Sequence, residues 1–173
     1  MLIKQYGLIL HEEMKKIALK DYADFDFKLI GISCQEPDFK LCWFLNNALN
    51  LSLERKDDLE MEIESDGKVA YFSVFEYKES VRSLDSIQMN WLPPYLNEAE
   101  EEGITFQMLS NRHEWGSLIP EQPAIDYFLI IRGGNEDAAH EKKMVQQIRE
   151  IEVVNAAFLM DIKKLKNRDN FIF

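Results

Sequence analysis

The chain is short of the residues that staple a small exported protein or build a cofactor loop: 173 residues hold two cysteines, seven glycines, five prolines and three histidines. Cys34 and Cys42 lack the Cys-x-x-Cys spacing that lowers a thiol pKa. The apolar opening stops at His11, Glu12 and Glu13, where a secretory signal would continue its core. Reduced thiols buried as small hydrophobes in a cytoplasmic chain are the expectation. The glycines form neither a Gly-x-Gly-x-x-Gly nor a Walker-type loop. The nearest phosphate cradle, Gly133-Gly134-Asn135, is followed by Glu136 and Asp137, which would repel an anion. His11, His113 and His140 are scattered without zinc-ligand spacing, no EF-hand loop is present, and no serine sits in a Gly-x-Ser-x-Gly elbow. Neither a metal, a cofactor nor a catalytic residue is expected.

Basic charge is scarce too. Twenty Lys and Arg face 31 Asp and Glu, a net charge of −11. The largest basic cluster, Lys163, Lys164, Lys166 and Arg168, is interrupted by Asp169, so a nucleic-acid partner is not expected. No apolar run approaches the ~18 residues that span a bilayer, so no membrane partner is expected either. What is present is a core: 46% hydrophobic and 12% aromatic residues suffice for one folded domain without disulfides. Met14-Lys15-Lys16 resembles a start in its own right, which makes residues 1–13 an appendage to a single domain over 14–173.

Phe25 to Cys34 alternates as a strand, and Pro37-Asp38 opens a helix with Leu41, Leu45, Ala48 and Leu49 in one stripe and Trp43 and Asn46 off it. Leu51 to Ile63 and Val69 to Tyr77 flank Asp66-Gly67, a hairpin signal. Pro93-Pro94 and the acidic run from Glu98 to Glu102, a solvated surface, separate expected strands at Ser86–Trp91 and Ile104–Ser110. Ile125 to Arg132 is apolar on both faces and predicts a central strand. Asn135 can cap a helix with Met144, Val145, Ile148 and Ile151 as its buried stripe, and Val153 to Ile162 reads as a last strand. The sum is an α+β fold, a mainly antiparallel sheet with two main helices on one face, in a split βαβ, ferredoxin-like arrangement with inserted strands.

One constellation stands out, Ile119-Pro120-Glu121-Gln122-Pro123-Ala124-Ile125-Asp126-Tyr127. Its prolines predict an extended entry to the central strand. Asp126 is a carboxylate in an apolar strand, and if covered it must find a cation or main-chain donors; Arg82, Arg112 or a helix N-terminus can serve. Two readings follow. In one, Asp126 ties down a loop and Tyr127 fills the core. In the other, Glu121 and Asp126 face one cleft as a ligand-binding or acid/base pair.

These residues resemble the naming pattern of the uncharacterised bacterial IPExxxVDY family, with Ile125 where the pattern has Val. The segments from Asp26 to Ile32, Leu41 to Asn46 and Leu165 to Phe173 support the resemblance, which covers about residues 14–173. It implies a bacterial, cytoplasmic protein of unknown activity and carries over no catalytic or binding residue beyond the motif.

Three functions are compatible with this. The first is a non-enzymatic protein-binding or adaptor module, meeting a protein partner or a like subunit through aromatics such as Trp91, Tyr95 and Trp115. The second is a small-molecule regulatory domain with Glu121, Asp126, Tyr127 and Arg112 as candidate binding residues. The third is an enzyme using Glu121 and Asp126 as a carboxylate pair.

Overall fold

The computed structural model describes residues 27–63, 68–79, 103–114, 116–133 and 138–172. The expected appendage at 1–13, the strand at Ser86–Trp91, the acidic run, the Asp66-Gly67 turn, the helix cap at Asn135 and the aromatics Trp91, Tyr95 and Trp115 lie outside them.

Three apolar strands form the centre of the sheet: β1 (Phe27–Ser33), β6 (Ile104–Ser110) and β9 (Tyr127–Arg132). Each is buried on both faces, so the alternation of side chains feeds two cores rather than one core and solvent. With β2 (Glu54–Arg55), β5 (Val74–Glu79) and β10 (Ala156–Met160) they make a six-stranded sheet in the order β10-β1-β9-β6-β5-β2, antiparallel at every pairing, while β7 (Arg112–His113) and β8 (Gly116–Ser117) form a separate two-stranded ladder. Because β9 and β10 both run antiparallel to β1 and flank it, β9, the helix α2 (Ala138–Arg149) and β10 form a split βαβ unit. The other helix, α1 (Asp38–Leu49), follows β1. This is the expected α+β architecture, with β5 and β6 inserted between β9 and β2.

Both helices pack on one face. Leu41, Cys42 and Leu45 of α1 and Met144, Val145 and Ile148 of α2 share a core with Ile30, Ile32, Leu129 and Ile131. The opposite face is covered as well. The hairpin of β3 (Leu59–Ile63) and β4 (Lys68–Phe72), Leu118, Ile119 and the C-terminal residues Ile162, Leu165 and Phe171 close over Leu29, Phe128 and Ile130. Phe171 meets Phe27 and Phe128 edge-on, with centroids at 6.0 and 5.1 Å.

Several boundaries differ from the sequence reading. Val69 to Tyr77 is two strands, because the chain leaves the β3–β4 hairpin at Ser73 and enters the main sheet, pairing Val74 with Leu109. Val153 and Val154 belong to the turn that ends α2, where the Val154 amide donates to Ile151, and Ile162 starts a 3-10 turn capped by Asp161; the last strand is therefore only Ala156–Met160. Ile125 and Asp126 precede β9 rather than open it. Asn46, off the apolar stripe of α1, is half-buried and grips the chain after the helix, accepting from the Leu53 amide at 2.8 Å and donating to its carbonyl at 3.1 Å.

Candidate functional site

The stretch from Pro120 to Pro123 is not extended. It is two consecutive turns, with the Gln122 amide donating to Ile119 and the Ile125 amide donating to Gln122. Pro120 and Pro123 each occupy the second position of a turn, where the ring's fixed φ is already suited and the missing N–H costs nothing.

The turns are built around Asn111, a residue the sequence reading passed over. It is fully buried at the end of β6. Its Nδ2 donates to the Gln122 and Ile125 carbonyls at 3.2 and 2.8 Å, and its Oδ1 accepts from the Ile119 amide at 2.8 Å. Its own amide donates to the Asp126 carbonyl, and its carbonyl accepts from Leu118. The available signal was a lone amide side chain between an apolar strand and Arg112.

Asp126 is buried and ties this loop to the β1–α1 connection. Its Oδ2 accepts from the Cys34 amide at 2.8 Å and from Ser33 Oγ at 3.3 Å, and its Oδ1 lies 2.9 Å from Arg112 Nε. Of the cations the sequence offered, Arg112 is the partner; Arg82 lies outside the described residues. Arg112 Nη2 also donates to the Pro123 carbonyl at 3.0 Å. Tyr127, next in the chain, points to the helix-covered face and its Oη donates to the Glu36 carbonyl at 2.6 Å. Burial, with the charges of Asp38, Asp126 and Glu36 behind it, pushes its phenol up to about 12.

Glu121 engages a different segment. Its Oε1 accepts from the Lys166 and Asn167 amides at 2.7 and 2.9 Å and fastens the C-terminal chain. Partial burial raises its pKa, but the main-chain donors at Asn167 and Lys166 and the Lys166 charge outweigh that and hold the carboxyl below its ordinary value. Asn170 Nδ2 donating to the Leu118 carbonyl and Arg132 Nη2 donating to Phe171 complete the fastening. Glu121 and Asp126 thus have separate partners, and both carboxylates accept hydrogen bonds that hold chain segments together.

The thiols are buried in the helix-side core, and burial raises both; Cys42 reaches about 11. Among the described residues no three His, Cys, Asp or Glu side chains gather as a metal site. None of the described helices is long and apolar enough to cross a membrane. One open depression of about 430 Å³ lies beside the Asn111 loop, lined by Arg112, His113, Glu114, Gly116, Ser117 and Pro123. Neither Glu121 nor Asp126 lines it. The outer face of α1 presents Phe39 and Trp43, 67% and 62% exposed, one helical turn apart. Their i, i+4 spacing, off the apolar stripe, was the signal in the sequence.

No family model matches the chain, and no curated protein matches its sequence at a significant level. The contacts of Asn111, Glu121, Asp126 and Tyr127 join the 119–127 segment to the end of β6, to the β1–α1 connection and to the C-terminal chain.

Proposed function

We propose that this chain is a non-enzymatic protein-binding or adaptor module of the bacterial cytoplasm, a member of the IPExxxVDY family, that meets a protein partner through exposed apolar side chains. The observation that carries the reading is Phe39 and Trp43, two large aromatics standing in solvent on one helix face. Rigid aromatic side chains of this kind anchor interfaces, and water around them is released on docking. The engagement of Glu121 and Asp126 in folding contacts supports a binding role over a carboxylate-pair enzyme.

The test is native mass spectrometry of the untagged protein taken from its own cells, beside a Phe39→Ser, Trp43→Ser double variant. Both positions are exposed, so the variant melts within about 1 kcal/mol of wild type. An added protein mass on the wild type that the variant lacks supports the reading; identical masses for the two overturn it.

The depression beside Arg112 favours one second reading, a small-molecule regulatory domain. It predicts a rise in melting temperature with some member of a broad metabolite panel, lost in Arg112→Ala. A panel without any shift removes it.

A further inference from the structure

β10 is an outer strand of the main sheet, and among the described residues no strand pairs with its free side. Its five residues, Ala156–Met160, contain neither charge nor proline, the usual means of blunting such an edge. Phe158 and Leu159 are 38% and 47% exposed, and as neighbours on a strand they point to opposite faces, so the edge is apolar above and below. Arg149 Nε donates to the Ala157 carbonyl at 2.6 Å; a carbonyl oxygen has two lone pairs and can accept from an incoming strand as well.

The charges around this edge are ordered along the chain. Exposed Arg149, Glu150 and Glu152 lead into the strand with two acids to one base, and exposed Lys163, Lys164 and Lys166 follow it, with Asp161 paired to Lys164. If two copies meet antiparallel, the acidic approach of each lies beside the basic exit of the other, at both ends of the seam. Parallel pairing sets like beside like. The strand is therefore complementary to itself in one orientation, despite a net charge of −11 that opposes association in general.

We infer that the free edge of β10 pairs with the β10 edge of a second copy of this chain, antiparallel about a two-fold axis near Phe158, which continues the sheet from one subunit into the other. A five-residue edge buries far less than the ~1,200 Å² of a standard stable interface, so the dimer is weak and concentration-dependent.

Analytical ultracentrifugation from low micromolar to near-millimolar protein tests this. The mass rises from 20.4 kDa toward twice that value. Phe158→Glu places two carboxylates at the axis and weakens association at least about tenfold, about 1.4 kcal/mol or more, and the melting temperature at low concentration reads separately what the loss of the part-covered ring costs the monomer. Lys163→Glu with Lys164→Glu abolishes self-association, as does Glu150→Lys with Glu152→Lys, and an equal mixture of the two charge-reversed proteins restores it. The Phe39→Ser, Trp43→Ser protein still dimerises. A mass of 20.4 kDa at every concentration, a dimer indifferent to Phe158→Glu, or charge-reversed proteins that fail to pair in mixture overturns the inference.

Discussion

Asp126 Oδ2 lies 2.8 Å from the main-chain nitrogen of Cys34, a residue 92 positions earlier. The bond joins the loop before β9 to the loop after β1. The neighbouring Tyr127 makes a second tie, to Glu36, across the same gap.

Removing the Asp126 carboxylate leaves a buried amide unpaired and frees Arg112. Asp126→Ala therefore costs about 3 kcal/mol, measured by urea denaturation. Arg112→Ala costs about 1 kcal/mol, because its guanidinium is half in solvent and screened. Equal losses from the two substitutions would show that the ion pair, not the Cys34 amide, dominates the site.

Asn111→Ala orphans the Ile119 amide and the Ile125 carbonyl in a buried loop and takes one of two donors from the Gln122 carbonyl. We expect a loss of about 3 kcal/mol or more and faster amide exchange at Ile119. A loss under about 0.5 kcal/mol would mean that water replaces the side chain.

Glu121 gives a signed pH dependence. Its folded carboxyl sits below the ordinary value of about 4.3, so its contribution is fully present above that pH and is lost as acid protonates the folded form. The stability difference between wild type and Glu121→Gln should be constant near neutrality and vanish in acid. A difference that persists at the acid end would assign the effect to shape rather than charge.

Tyr127 works in the opposite sense. Its phenol is raised to about 12 from an ordinary value of about 10, so its contribution is present below pH 10 and lost as pH rises through the folded value. In an absorbance titration, the difference between wild type and Tyr127→Phe should develop near pH 12, after the ordinary phenols. Tyr127→Phe should cost about 1 kcal/mol at neutral pH for the lost bond to Glu36.

The elements that local periodicity encodes could be read without coordinates. Ile30, Ile32, Leu129 and Ile131 alternate, Leu41 and Leu45 or Val145 and Ile148 recur at helical spacing, and those patterns follow from backbone geometry alone. The motif's importance could also be read, since a carboxylate beside Tyr127 in an apolar stretch demands a partner. Its geometry could not. Two prolines are compatible with an extended entry or with turns, and the choice was made by Asn111, whose amide satisfies three main-chain groups only if the chain turns twice.

The fate of the two carboxylates was likewise settled in three dimensions. Glu121 and Asp126 are five positions apart in sequence, yet one meets Lys166 and Asn167 and the other Ser33, Cys34 and Arg112. The break at Ser73 and the exposed edge of β10 belong to the same class, because both depend on which strand lies alongside. Side-chain periodicity is a property of the local backbone and is written in neighbouring residues. Pairing of buried polar groups and of strand edges depends on segments tens of residues away, and only the packed chain brings those together.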